Sequence, residues 1–259
     1  MSLTKKDRQG LLMIGAAVLA LGAIVAAKVV MGEKPRAGDD GCVGAVATST
    51  VIVLDHSETL TRQTRDEIIA RALAHVERAP ANERVTVFKV SEVSKKQLEP
   101  AFSRCKPARQ GNRMVEDTRG LEKTYQAKFH APLTSVLEGS PSNGKESPVA
   151  QAILDVSLSQ YLRTSKNSLL VFSDLLEHTP KFSMYQCGDP QKAIGHFRES
   201  RRGAMERPKF RETAVYLHII PRQDIARSTL KCRDHVWAWF FGDNEGGYAT
   251  TETDYLPGG

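Results

Sequence analysis

Apolar residues beyond residue 45 follow two alternating patterns. In some segments they form short β-branched runs, typical of buried strands, and in others they recur every three or four positions, typical of helices. The pattern predicts strands at 49–54, 84–90, 168–173 and 213–221, and helices at 64–76, 149–162 and 235–241. Strands that are apolar on both faces and alternate with helices form mainly parallel sheets covered by helices. We therefore expect a doubly wound α/β fold with helices on both faces.

The segments between these elements indicate the domain organisation. The connection after the second strand is too long for an ordinary loop, so we predict an insertion at 94–145 with one or two extra elements near 121–129. Residues 32–45 are rich in glycine, proline and charge and are predicted to be a linker. The α/β domain then spans residues 46–245, and residues 246–259 are expected to be a polar tail.

An uncharged apolar run at residues 10–27 follows a basic segment at residues 5–8. Extended to residue 31, it is long enough for a bilayer core, which needs roughly 20 apolar residues in a helix. The basic flank places the N-terminus in the cytoplasm. We therefore predict that residues 1–31 are a cytoplasmic tail and single transmembrane signal anchor in the inner membrane, with the remaining domain periplasmic or otherwise extracytoplasmic. A cleaved signal peptide is the alternative, because it shares the same pattern.

The chain has four cysteines, Cys42, Cys105, Cys187 and Cys232, without the close spacing of a zinc or redox motif. In an oxidising compartment such cysteines pair. We predict disulfides Cys42–Cys105 and Cys187–Cys232, because each would tie together one half of the fold. Four unpaired buried thiols are the alternative.

The formal net charge of +6 does not indicate a nucleic-acid-binding protein. Part of the charge lies in the N-terminal segment, where basic residues outnumber acidic ones. In the rest of the chain, acidic residues are interspersed with the basic ones, without the interleaved aromatic residues of a stacking surface. We therefore expect the basic stretches to be solvated surface and expect no nucleic-acid partner.

Acidic and hydroxyl side chains follow two predicted strands. Asp55 ends the first strand, Ser57 and Thr59 come directly after it, and Asp174 ends the strand at 168–173. In open α/β sheets, ligands bind beyond the carboxyl ends of the strands. Mg²⁺ and similar hard cations prefer such oxygen ligands and retain several waters. The sequence therefore predicts a cation site at this edge of the sheet.

The same residues resemble the von Willebrand factor A family. Its metal-ion-dependent adhesion site has the pattern D-x-S-x-S after the first strand, and residues 55–59 match it with Thr59 in the last place. Ser173-Asp174 resembles the family's S-D-G turn, and residues 145–153 resemble its G-x-T-P helix start, with Ser147 in place of threonine. The resemblance covers about residues 46–242. It implies that Asp55, Ser57, Thr59, Ser147 and Asp174 hold Mg²⁺ or Mn²⁺, directly or through water.

The chain departs from that pattern in ways that bear on metal binding. Leu175 replaces the usual glycine after Asp174, and Thr134 is a rival to Ser147 for the third position. A metal-free von Willebrand A-like scaffold is therefore an alternative.

A second resemblance is to the haloacid dehalogenase-like phosphatases, whose first strand ends in D-x-D-x-T. Here Asp55 would be the nucleophile, but Ser57 occupies the position of the general acid and cannot serve as one near neutral pH. The sequence also lacks a G-x-S-x-G elbow, an H-E-x-x-H helix and a P-loop. We therefore expect no enzyme activity, with a phosphatase of this family as the alternative.

Taken together, these features predict a membrane-anchored, exported protein-binding module, for adhesion or assembly, that uses a divalent cation. Its partner would be another envelope protein whose acidic side chain completes the coordination of the ion.

Overall fold

The computed structural model describes residues 5–31, 37–55, 57, 59–90, 99–109, 118–139, 146–242 and 251–257. The chain forms two compact units, Met1–Arg36 and Ala37–Gly259. Residues 32–36 of the predicted linker, part of the predicted insertion (94–98, 110–117 and 140–145), and residues 246–250 and 258–259 of the predicted tail lie outside the described residues.

The N-terminal unit contains one helix, α1, at Lys5–Met31. Among the residues that the structure describes, no helix meets the combined length and apolarity of a membrane-spanning segment.

The second unit is built on a sheet of six strands, with a separate two-stranded hairpin. In chain order the strands are β1 Thr48–Leu54, β2 Arg84–Lys89, β3 Phe102–Cys105, β4 Lys166–Ser173, β5 His178–Thr179, β6 Phe182–Ser183, β7 Thr213–Ile219 and β8 Thr251–Tyr255. The sheet has the order β3-β2-β1-β4-β7-β8, and β5 and β6 form the hairpin. Only β3 runs antiparallel to its neighbour within the described sheet. The sheet is therefore mainly parallel, as the alternation of strands and helices predicted.

Six further helices belong to the second unit as described: α2 Arg62–Arg78, α3 Thr118–Tyr125, α4 Ala131–Leu137, α5 Val149–Leu158, α6 Pro190–Ser200 and α7 Arg227–Phe241. A π-helical turn at Gln126–His130 joins α3 to α4, and short 3-10 turns lie at Gln160–Leu162 and Met184–Gln186. Thr61 caps α2, because its side chain accepts a hydrogen bond from the backbone N of Thr64 at 3.1 Å. The predicted extra elements near 121–129 are thus helical.

Alternate residues of β1 belong to two separate hydrophobic cores. Val51 and Val53 pack into a core with residues of α5, α6 and α7. Ile52 and Leu54 pack into a second core with residues of α2, α3 and α4. Because successive side chains of a strand point to opposite faces, the two cores lie on opposite faces of the sheet. The predicted doubly wound arrangement is therefore present.

The strand order reverses direction between β1 and β4. From β1 the chain builds outward through β2 to β3, and from β4 it builds outward on the other side through β7 to β8. Ligands in open α/β sheets bind beyond the carboxyl ends of strands at such a switch point. The residues that follow β1 and β4 are Asp55 and Asp174.

Some elements of the domain were not predicted from the sequence. Residues 251–255, expected within a polar tail, form β8 and pair in parallel with β7. All five of these residues are exposed and polar or aromatic, so the strand has no apolar run that would indicate it. An ion pair between Arg71 of α2 and Asp254 ties β8 to the domain. The short strand β3 and helix α6 were likewise not predicted.

Both predicted disulfides are present. Cys42, before β1, is bonded to Cys105 at the end of β3, with Cα atoms 4.8 Å apart. Cys187, after the hairpin, is bonded to Cys232 in α7, with Cα atoms 5.7 Å apart. These bonds leave no free cysteine in the described residues.

Candidate functional site

Asp55 lies at the centre of a buried hydrogen-bond network beyond the end of β1. Its backbone N donates to the carbonyl of Phe172 at 2.9 Å, which continues the pairing of β1 with β4. Its Oδ2 accepts hydrogen bonds from the hydroxyls of Ser147, at 2.9 Å, and Ser173, at 2.7 Å. Its Oδ1 accepts from the backbone N of Ser57 at 3.1 Å. One carboxylate, 5% exposed, thus holds together three segments of the chain.

The backbone of Ser147 is held in a position that places its hydroxyl in this network. Its N donates to the carbonyl of His178 at 2.8 Å, and the N of His178 donates back to the carbonyl of Ser147 at 3.0 Å. This bridge fixes the segment before α5 against β5. The rival residue, Thr134, lies in α4 and donates its hydroxyl hydrogen bond to the carbonyl of His130 at 2.9 Å. The structure therefore brings Ser147, and not Thr134, to Asp55.

The other predicted site residues line one cavity. Asp55, Ser57, Thr59 and Asp174 all contribute to its wall, and its volume is about 280 Å³. The loop after β7 forms the other side of the cavity, at residues 220–224. Four of the five predicted residues thus lie in the cavity wall, and the fifth, Ser147, is hydrogen-bonded to Asp55.

Asp174 is held by a basic residue that the sequence analysis did not single out. Its Oδ2 accepts a hydrogen bond from Nη1 of Arg222 at 2.6 Å, and its Oδ1 accepts from the backbone N of Leu176 at 2.9 Å. The side chains of Asp174 and Arg222 are only 9% and 14% exposed. The second acid of the predicted cation site is therefore ion-paired within the chain.

Arg222 also forms a two-pronged ion pair with Asp224 in its own loop. Its Nε and Nη2 donate to Oδ1 and Oδ2 of Asp224, both at 2.8 Å. The hydrogen bonds from Arg222 lower the pKa of Asp224 below its usual value. The guanidinium is thus oriented by Asp224 towards Asp174. No pattern in the sequence indicated this role, because Arg222 and Asp174 are 48 residues apart.

Glu177 is a further buried acid near Asp55. It is 4% exposed, and its Oε2 accepts a hydrogen bond from the backbone N of Ala150 at 2.7 Å. Burial, with a smaller contribution from the negative charge of Asp55, raises the pKa of its carboxyl to about 8. Glu177 binds the first turn of α5, the helix that Ser147 precedes. No motif around it in the sequence indicated this contact.

The turn after β4 has a backbone conformation that ordinarily favours glycine. Leu175 has a φ of +58°, in the left-handed region. Its backbone N donates to Oγ of Ser173 at 2.8 Å, and its carbonyl accepts from Nε1 of Trp237 at 2.7 Å. The side chain of Leu175 is buried. Leucine therefore keeps the same turn at a conformational cost, which core packing offsets.

The donor set fits a hard cation in its chemistry. Asp55, Asp174 and the neighbouring hydroxyls offer only oxygen atoms, which suit Mg²⁺ or Mn²⁺. No group of three or more His, Cys, Asp or Glu side chains in the described ranges is arranged to hold a metal ion. A cation here would therefore depend on hydroxyls, waters and two carboxylates, one of which Arg222 already engages.

No protein-family model matches the sequence, and no curated protein is similar enough to be counted as a relative. Among solved structures, the chain superposes on the human COPII-coat protein Sec24c with a TM-score of 0.36 and 10% identity. The match covers 82% of this chain but 30% of Sec24c. An aerotolerance-related membrane protein from Bacteroides fragilis NCTC 9343, carrying multiple mutations to serine, matches with a TM-score of 0.31 and 12% identity, over 79% of this chain and 92% of that one. Similarity at these scores carries no argument about function.

Proposed function

We propose that the chain is a protein-binding module of the von Willebrand A-like type, and that its binding site is the cavity beyond the carboxyl ends of β1 and β4. The observation that carries this proposal is the meeting of Asp55, Ser147 and Asp174 at one edge of the sheet, from three distant parts of the sequence. These residues belong to the three motifs that resemble the family's adhesion site, and the mainly parallel sheet agrees with the fold that the resemblance implies.

In this proposal the site holds Mg²⁺ or Mn²⁺ and an acidic side chain of the partner. Ser57, Thr59 and Ser147 supply neutral oxygens, while Asp55 and Asp174 supply the negative charge. Neutral ligands leave the cation with a net positive charge, which attracts a further carboxylate. The partner's acidic residue is thereby recognised at the cavity, and no bond is made or broken.

The phosphatase alternative is disfavoured by the surroundings of Asp55. Its Oδ2 accepts two hydroxyl hydrogen bonds, and residue 57 is a serine whose backbone N binds Oδ1. In the phosphatase mechanism the residue two positions after the nucleophile is the general acid. Ser57 cannot supply that acid near neutral pH.

We further propose that residues 1–31 anchor the domain in the inner membrane and that the domain lies on the extracytoplasmic side. The uncharged run at residues 10–27 and its basic flank support this placement. The two disulfides support an oxidising compartment. Mass spectrometry of the membrane-extracted protein tests the anchor, since a mature N-terminus near residue 28 would show that the segment is cleaved.

Calorimetric titration of Mn²⁺ and Mg²⁺ into the full-length chain in detergent tests the cation site. We expect wild type to bind Mn²⁺, and Asp55→Ala and Asp174→Ala each to weaken binding by at least about tenfold. Asp66→Ala is the matched control, because Asp66 is an exposed acid on α2. The same variants should lose the partner that co-purifies with wild type, and EDTA should release that partner from wild type.

Wild type without any heat of binding at millimolar Mn²⁺ or Mg²⁺ would contradict the cation site and favour the metal-free scaffold. Partner retention in Asp55→Ala and Asp174→Ala would instead place the binding surface elsewhere on the domain.

A further inference from the structure

The cavity beyond the carboxyl ends of β1 and β4 already contains a cationic group of the chain. Three carboxylates, those of Asp55, Asp174 and Asp224, and one guanidinium, that of Arg222, contribute to its wall. Nη1 of Arg222 lies 2.6 Å from Oδ2 of Asp174, and the other oxygen, Oδ1, accepts the backbone N–H of Leu176. A metal ion that uses Oδ2 of Asp174 therefore meets the guanidinium at the same atom.

The ion pair between Asp174 and Arg222 has the features of a strong interaction. Both side chains are largely shielded from water, so the attraction between their charges is screened less than on the surface. The bond is short and charge-assisted, and arginine forms such bonds with a rigid, planar group. Asp224 holds the same guanidinium through two more hydrogen bonds, and Tyr185 lies 6.0 Å below it, ring centroid to Cζ. Arg222 is thus directed at Asp174 by its own loop.

This arrangement also allows Arg222 to release Asp174 without losing every partner. Asp224 is two residues away in the same loop, and its two bonds use Nε and Nη2, whereas the bond to Asp174 uses Nη1. If the guanidinium turns away from Asp174, the pair with Asp224 can keep its charge compensated. The exchange at Asp174 therefore does not require an unpaired arginine.

We propose, resting on the function proposed above, that Arg222 competes with the divalent cation for Asp174 and so sets the affinity of the site. The arginine is a specificity-determining residue that keeps the site weak for the ion alone. When the ion binds Asp174, the acidic side chain of the partner that coordinates the ion can also pair with the guanidinium of Arg222. That carboxylate then replaces Asp174 as a partner of Arg222. Ion and partner then bind better together than either does alone.

A purely structural ion pair is the competing explanation. In that case Arg222 only holds the loop at residues 220–224 against the turn after β4. Its removal would lower the free energy of unfolding and leave the affinity for Mn²⁺ unchanged or lower.

Calorimetric titration of Mn²⁺ into the full-length chain separates the two explanations. Arg222→Gln should bind Mn²⁺ at least about tenfold more tightly than wild type, which corresponds to about 1.4 kcal/mol. Asp224→Asn should bind Mn²⁺ more weakly than wild type, because Arg222 then loses its two-pronged carboxylate partner while its bond to Asp174 remains. Arg227→Gln is the matched control for net charge, since Arg227 is an exposed arginine at the start of α7. Melting temperatures of all four proteins verify that each is folded.

The outcomes distinguish the competition by Arg222 from the cation site itself. Equal Mn²⁺ affinity in wild type, Arg222→Gln and Arg227→Gln overturns the competition and leaves the cation site intact. Tighter binding in Arg222→Gln with none in wild type supports the competition but shows that the native chain does not use the ion. No binding in either protein overturns both, because release of Asp174 then creates no site. An equal gain in Arg227→Gln would mean that general charge, and not Asp174, sets the affinity.

Discussion

Single side chains show how tightly the candidate site depends on buried polar contacts. Ser173 donates to Asp55 and accepts from the backbone of Leu175, so one hydroxyl links the two acidic segments of the site. Buried polar groups are costly when they lack a partner. The network therefore specifies the geometry of the turn after β4 as well as its chemistry.

The left-handed backbone of Leu175 leads to a prediction about stability. Leu175→Gly and Leu175→Ala both remove the same buried side chain, but only glycine adopts a φ of +58° without strain. Both variants should be less stable than wild type, and Leu175→Gly should be more stable than Leu175→Ala by about 1 kcal/mol. Urea unfolding of the three proteins measures the difference. An alanine variant more stable than the glycine variant would show that the turn relaxes to a negative φ.

Glu177 leads to a prediction about pH. Its pKa is raised from 4.5 to about 8 by burial, so the folded state binds a proton that the unfolded state releases. The contribution of this group to stability is therefore full below about pH 4.5 and is lost as the pH rises through about 8, at up to about 1.4 kcal/mol per pH unit. Glu177→Gln stays neutral, and its side-chain oxygen can still accept from the backbone N of Ala150. The decline should be absent in that variant.

The measurement is the free energy of unfolding at pH 5 and pH 8 for wild type and Glu177→Gln. All other titratable groups are common to the two proteins, so the difference between the two slopes isolates Glu177. Parallel slopes would mean that the carboxyl of Glu177 is ionised throughout this range in the folded protein.

Among the secondary-structure elements, helix α7 supports the site from outside. Nη1 of Arg233 donates to the carbonyl of Asp174 at 2.8 Å, and Nε1 of Trp237 donates to the carbonyl of Leu175 at 2.7 Å. The neighbouring Cys232 carries the disulfide to Cys187, just after the hairpin of β5 and β6. The same hairpin positions Ser147 through His178. Helix, hairpin and disulfide thus brace both sides of the site.

We therefore expect the two disulfides to differ in their effect on the site. Replacing Cys187 and Cys232 with serine should lower stability by ~2–4 kcal/mol and weaken Mn²⁺ binding, because α7 and the hairpin are no longer joined. Replacing Cys42 and Cys105 should lower stability by a similar amount, since the two loops differ little in length on a logarithmic scale.

The second pair is the matched control. In the sheet, Cys105 of β3 lies opposite Arg84, the first residue of β2. Cys105 is therefore at the end of the sheet where the parallel strands begin, away from the site. Its removal should leave Mn²⁺ affinity unchanged. Thermal unfolding followed by circular dichroism, together with calorimetric titration, measures both properties. Equal losses of affinity in the two variants would mean that bracing of the site is not specific to α7.

In the molecule as a whole, the site is a consequence of the order of the strands. β1 and β4 are neighbours although Asp55 and Ser173 are 118 residues apart in sequence. Their side-by-side placement brings both acids to one edge, where helices on the two faces leave an opening. A parallel sheet that is extended first on one side of its initial strand and then on the other side has a switch point between its two central strands. The candidate site is thus where this topology favours a ligand.

Local patterns of hydrophobicity were sufficient for the elements with a strong period or an unbroken apolar run. They predicted β1, β2, β4, β7, α2 and α5, because each buries an apolar face whose spacing is visible in the sequence. They also indicated Asp55 and Asp174, since each follows such a run directly. They did not predict β8, whose residues are all exposed, because its pairing depends on the backbone of β7 and not on its own side chains.

The contacts that define the chemistry of the site join residues that are far apart in the sequence, so no local pattern predicts them. Ser147 could be named from the sequence only through a motif, and its selection over Thr134 follows from the backbone bridge to His178. Arg222 and Glu177 carried no signal at all, because the meaning of an isolated charge depends on what folding places beside it. The sequence thus determines which oxygens are available at the edge of the sheet. Only the packed structure decides that a guanidinium lies among them, since that contact joins two loops 48 residues apart.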